Sequence, residues 1–134
     1  MSLIDRQALL GAWKLISIQL RMSDTGEIVD LYGPEPIGAC LFDPSGRIMV
    51  VITPSGPREA PGFVGGYSGK YHLDGGTLVT RFDVAIHPSQ AGTEQRRSVA
   101  LQGDILTLTS PEQAFGQYGG RMAVGIVVWQ REPH

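Results

Sequence analysis

Leu10-Gly11-Ala12-Trp13-Lys14-Leu15, answered near the far end of the 134 residues by Trp129-Gln130-Arg131, is the pair of stretches that decides how this chain folds. Glycine lets the backbone turn sharply out of a short helical start, and tryptophan is large enough to plug the bottom of a small barrel. A guanidinium laid over the indole makes a cation–π contact worth roughly 0.5–2 kcal/mol. The pair therefore predicts a β-barrel closed at its base by Trp13 and Arg131. Such a barrel, plugged at one end, is a container.

The rest of the chain supplies the staves. Glycine (18) and proline (9) recur at short intervals, which is the punctuation of many short strands joined by tight turns. Only the start reads as helical, with Ser2 and Asp5 as caps before Arg6-Gln7-Ala8-Leu9-Leu10. Strands are predicted over 13–22, 26–32 and 40–42, then through the turn Asp43-Pro44-Ser45-Gly46 into 48–53. Further hairpins join 67–73 to 78–86 through Asp74-Gly75-Gly76, and 95–101 to 105–109 through Gly103-Asp104, before a closing strand at 121–131. The expectation is an all-β, antiparallel up-and-down barrel of eight to ten strands with a short N-terminal helix, closed because open edges aggregate. Residues 53–66 and 110–120 read as long loops outside this meander. One domain is expected over residues 1–134.

Alternation assigns the interior. Tyr67, Gly69, Tyr71 and Leu73 share one face; so do Leu78, Thr80, Phe82, Val84 and Ile86, and Gln95, Arg97, Val99 and Leu101. Parity breaks in the first strand, where Trp13 falls with Ser17, Gln19 and Arg21, opposite Ile16, Ile18 and Leu20. Either a bulge switches faces there, or the outer face packs against a second copy in a homodimer. Arg97 is the sharpest single residue, because an inward guanidinium is costly unless an acceptor meets it. Either Glu94 or a backbone carbonyl satisfies it, or it hooks a ligand carboxylate or phenolate.

Several chemistries are excluded. A net charge of −2 and no basic patch argue against nucleic acid. No apolar run approaches the ~18 residues needed to span a bilayer. The opening residues lack a secretory signal's plan, the single Cys40 allows no intramolecular disulfide, and there is no Asn for a glycosylation sequon; a cytoplasmic location is expected. Gly66-Tyr67-Ser68-Gly69-Lys70 fails as a phosphate loop, since Tyr71 stands where Ser or Thr is required. The histidines at 72, 87 and 134 are too scattered for a metal centre, and neither a metal nor a cofactor is expected. Ser68 lacks a nucleophile elbow. His87, before Pro88 at the rim, is either a solvated histidine or a general acid or base with Glu94 nearby in sequence. Cys40 reads as a core thiol and Trp129 as wall packing.

The two opening stretches together with Pro36-Ile37-Gly38, Asp43-Pro44-Ser45-Gly46-Arg47-Ile48, Tyr67-Ser68-Gly69-Lys70-Tyr71, Pro88, Gly92-Thr93-Glu94-Gln95-Arg96-Arg97 and Leu106-Thr107-Leu108-Thr109 form a pattern. With it the chain resembles the bacterial and fungal lipocalin-like domain family. The match runs in order over nearly the whole chain. It implies a small barrel with an internal cavity, in a fold that usually binds small hydrophobic molecules and sometimes acts as a cyclase or isomerase. The segment after Thr53 is shorter than in relatives, and Thr80 and Arg81 stand where histidines are expected.

The reading that follows is a carrier or sensor of a small hydrophobic or aromatic molecule. Its ligand-binding residues would be Tyr67, Tyr71, Thr80, Phe82, Val84, Gln95, Arg97, Val99 and Leu108. The alternative is a cofactor-independent isomerase, cyclase or lyase, with Tyr71, His87, Glu94 and Arg97 as catalytic candidates. A third is a barrel filled by its own side chains and serving as an interaction module.

Overall fold

The computed structural model describes residues 4–31, 33–53, 65–86, 88–115 and 118–133. Among these the strands are β1 (Gly11–Met22), β2 (Ile28–Asp30), β3 (Ile37–Phe42), β4 (Arg47–Thr53), β5 (Gly65–Asp74), β6 (Thr77–Ala85), β7 (Glu94–Gln102), β8 (Ile105–Thr109), β9 (Gln113–Phe115) and β10 (Arg121–Arg131). The sheet order is β2-β1-β3-β4-β5-β6-β7-β8-β10-β9, and β1 also pairs with β10. Eight strands thus close an antiparallel barrel, with β2 and β9 as additions. The long strands make this economical: β1 gives residues 11–14 to β3 and 19–21 to β2 along one edge. Likewise β10 gives residues 126–130 to β8 and 121–123 to β9. A strand therefore lies within the stretch 110–120 that reads as loop, and most of the loop expected over 53–66 lies outside the described residues. The expected N-terminal helix is one 3₁₀ turn, Arg6–Leu9, capped by Asp5, whose carboxylate accepts from the Gln7 amide at 2.9 Å. Ser2, the other expected cap, is outside the described residues.

The base is built as the opening residues require. Gly11 takes φ +115°, a conformation L side chains rarely adopt, and turns the chain from the 3₁₀ turn into β1. Trp13 is completely buried, and its indole N–H donates to the Leu9 carbonyl at 2.9 Å. The Arg131 guanidinium sits 4.3 Å from the Trp13 ring centre. It also donates to the carbonyls of Leu10 (3.0 Å) and Ala8 (2.5 Å), while Asp104 lies 3.5 Å from its Nε. Above this lock, Phe42 meets Tyr71 edge-on at 5.1 Å, and Leu9, Ile48 and Leu106 fill the remaining space.

Two bulges redirect the interior. The β1–β10 register slips between Leu15 and Ser17. Ile16 is left outside, and even-numbered residues beyond it face inward, so Leu20 and Met22 are buried. The bulge accounts for the broken parity without a second subunit. The β5–β6 register slips likewise, Gly69 pairing with Phe82 but Ser68 with Val84. Asp83 is the extra residue, and it turns out to meet Arg47 in a two-pronged ion pair at 2.9 and 2.8 Å. That contact holds the Asp83 carboxyl below the usual carboxylate range. Beyond it Val84 and Ile86 lie on the outer surface, which corrects the expectation that both face inward. They join Ile37, Leu41, Met49 and Val51 in an exposed apolar face across β3–β6. Gly69 makes the bulge feasible, since a Cβ there would lie 2.1 Å from the Arg81 carbonyl oxygen.

Two variants test this architecture. Arg131→Ala should lower stability by about 1–3 kcal/mol through lost cation–π contact and packing, with altered tryptophan fluorescence. An unchanged denaturant midpoint would mean the lock contributes nothing. Gly69→Ala should cost about 1–3 kcal/mol, the scale of forced backbone shifts in a packed interior, again read from the denaturation midpoint.

Candidate functional site: a cavity beside a buried guanidinium

Because Trp13, Phe42 and Tyr71 fill the base, open space is displaced to the other half of the barrel. There Ile18, Ile52, Leu108, Val127 and Trp129 wall a cavity of ≈190 Å³, with Leu31 from the segment after β2. Its polar lining comes from Tyr67 on β5, Gln95 and Arg97 on β7, and Gln90 on a 3₁₀ turn at Pro88–Gln90. Strand pairing explains the neighbours: Val99 faces Leu108, and Trp129 faces Leu106, so β7, β8 and β10 present one wall.

Arg97 is inside, as alternation on β7 requires, and its Nε and Nη1 are buried with no hydrogen-bond acceptor. Burial pushes the guanidinium below its ordinary value, while the neighbouring Tyr67 phenol acts the other way. Glu94 does not satisfy it: that carboxylate is exposed and accepts from Arg96 Nε at 3.1 Å. Among the described residues no backbone carbonyl meets Nε or Nη1 either. A buried donor without an acceptor costs about 1–3 kcal/mol, and more when it carries charge.

Of the expected ligand-binding residues, Tyr67, Gln95, Arg97 and Leu108 line the cavity together. Phe82 supports it from behind, its ring 4.6 Å from that of Tyr67. Val99 packs against the core, and Thr80 is buried between Tyr71 and Gln95 in register. Tyr71 belongs to the base, where its hydroxyl donates to the Asp43 carbonyl at 3.3 Å and Arg6 stands over its ring. Val84 is on the outer surface, contrary to expectation, for the reason given by the bulge at Asp83. Glu94 faces a separate hollow of ≈370 Å³ with Arg96, Thr93 and Gln113. His87 lies outside the described residues. Cys40 is a buried core thiol whose burial pushes it well above the usual thiol range. No group of metal-ligating side chains occurs among the described residues.

Sequence reading missed Ile18, Leu31, Ile52, Gln90, Val127 and Trp129 as cavity residues. Parity counted back from Trp129 would have found Val127. Ile18 is concealed by the bulge at Ile16, and nothing in the sequence marks Gln90.

The lipocalin-like domain matches residues 10–132, nearly the whole of this barrel. The chain belongs to the lipocalin-like family. No curated protein matches it. The family fits small hydrophobic ligands within the barrel, and no helix among the described residues is long and apolar enough to cross a membrane.

Replacing Arg97 by an apolar side chain of similar length should stabilise the ligand-free protein. The substitution removes the cost of an unmet buried donor, about 1–3 kcal/mol, and keeps the apolar stem. Thermal denaturation of Arg97→Met checks this; a lower midpoint would mean that Arg97 supports the fold.

Proposed function

We propose that this lipocalin-like protein binds one small hydrophobic or aromatic molecule per chain in the barrel cavity, as a carrier or sensor. The observation that carries the reading is the ≈190 Å³ cavity walled mainly by Ile18, Ile52, Leu108, Val127 and Trp129. An apolar cavity of about 150 Å³ stays dry and takes up benzene, so this volume suits one aromatic ring with a short substituent. It is below the roughly 300–1,000 Å³ typical of drug-sized ligands. Burial of such a ring removes apolar surface from water at about 25 cal/mol per Å², enough for useful affinity without any reaction.

The carrier reading is favoured over the isomerase, cyclase or lyase because two of the four catalytic candidates, Tyr71 and Glu94, do not line the cavity, while Arg97 lines it and His87 lies outside the described residues. The cavity's described lining holds no carboxylate or imidazole, and Tyr71 and Glu94 are committed elsewhere. A proton-transfer step needs a group within hydrogen-bond reach of the reacting atom.

Ethylbenzene and indole, both neutral, should bind with one equivalent per chain in titration calorimetry. Val127→Phe, which puts a ring into the same space, should weaken both at least about tenfold while leaving the denaturation midpoint within about 1 kcal/mol of wild type. Absence of binding to the wild type would return the barrel to the filled, ligand-free reading. Mass spectrometry of molecules released from the purified protein should identify the natural occupant.

A further inference from the structure

Five arginines among the described residues find acceptors. Arg47 has Asp83 and Ser68, Arg121 has Asp24, Arg96 has Glu94, and Arg6 has the Pro44 carbonyl. Arg131 takes two carbonyls and a neighbouring carboxylate. Arg97 differs in being buried: its Nε and Nη1 are unmet among the described residues, at the wall of the ≈190 Å³ cavity. In the cavity's described lining Ile18, Leu108, Val127 and Trp129 are apolar, Gln90 and Gln95 are neutral, and the Tyr67 phenol is the ionisable neighbour that favours the charged guanidinium.

We infer that the cavity's occupant is an organic monoanion, a carboxylate or an equivalent oxyanion on a single ring or a short apolar body, with its charged end on Arg97. The inference rests on the proposed binding function and narrows it to a chemical class. Three features select that class. A guanidinium presents planar pairs of N–H donors that match the two oxygens of a carboxylate, and such charge-assisted bonds are about twice as strong as neutral ones. One buried cation balances one negative charge; a phosphate dianion would be left with charge and lone pairs unmet among glutamines and hydrocarbon. The ≈190 Å³ available fits a benzoate or phenylpropanoate skeleton once the charged end is seated. The Gln90 and Gln95 amides and the Tyr67 phenol line the same cavity and offer further polar groups to an occupant. A neutral hydrophobic ligand would fill the space yet leave Arg97 as costly as before, so the acid is favoured over its neutral analogue by the cost it removes.

The decisive comparison is between matched probes: benzoate and 3-phenylpropanoate against benzamide and ethylbenzene, titrated at neutral pH into wild type, Arg97→Met and Arg97→Lys. The wild type should bind the carboxylates at least about 10-fold more tightly than benzamide. In Arg97→Met the carboxylates should lose about 10–100-fold, the range of a hydrogen bond to a charged group, while ethylbenzene changes little. Arg97→Lys, which keeps the charge and loses the planar fork, should fall between. If ethylbenzene binds but the carboxylates gain nothing over benzamide, or lose nothing in Arg97→Met, the cavity is a ligand site and the anion assignment is wrong. If no probe binds the wild type, the binding function itself fails. Should Arg97→Met not fold, the wild-type ratio of benzoate to benzamide and the Arg97→Lys series decide the matter alone.

Discussion

Arg131 holds together parts of the chain that are far apart in sequence. Its guanidinium lies on the Trp13 ring, binds the carbonyls of Ala8 and Leu10, and stands beside Asp104 in the turn between β7 and β8. The same strand completes the barrel by pairing β10 with β1. Once the base is fixed this way, its large side chains pack tightly, and the space that remains must lie in the opposite half. The cavity is thus a consequence of how the base is closed. Smaller residues such as Ile18, Ile52 and Val127 line the upper half, where Trp13, Phe42 and Tyr71 do not reach.

How much of this was legible in the sequence differs from element to element. Hairpin turns such as Asp43-Pro44-Ser45-Gly46 and Asp74-Gly75-Gly76 are chemical statements about backbone geometry, and both occur where they read. β8 and β10 have the bounds that alternation and turn residues imply. The two bulges are different in kind. A bulge adds one residue, has no composition of its own, and reverses the parity of everything beyond it. Val84 was placed inside by counting from Phe82, and Ile18 was left ambiguous by counting from Trp13, for this one reason. Gly69 was the available sign, because glycine inside a strand often marks a backbone that must approach closely.

Arg97 shows the reverse case. Alternation put it inside, and the same alternation put Glu94 outside with Arg96, so the nearest carboxylate in sequence was on the wrong face to satisfy it. Whether some distant group would reach the guanidinium depended on tertiary packing that no local pattern encodes. The cavity's remaining polar residue, Gln90, comes from a single 3₁₀ turn after Pro88 and had no periodicity to announce it. The polar groups that β5 and β7 bring to the cavity, Tyr67, Gln95 and Arg97, were therefore readable; Gln90, delivered by a short turn, was not.

The pairing of β1 with β10 also bears on how the barrel is made in the cell. β1 is synthesised well before its partner, which spans Arg121–Arg131. Until that last strand emerges, the upper edge of β1 and the free side of β8 are open β edges, able to pair with another chain. Contacts between such distant segments are slow to form because a long loop must close first. During synthesis, the nascent meander is thus exposed until β10 is made, and a truncation before residue 131 would leave it unclosed. For a barrel of this design, survival during synthesis depends on keeping those two edges apart from other chains until Arg131 arrives.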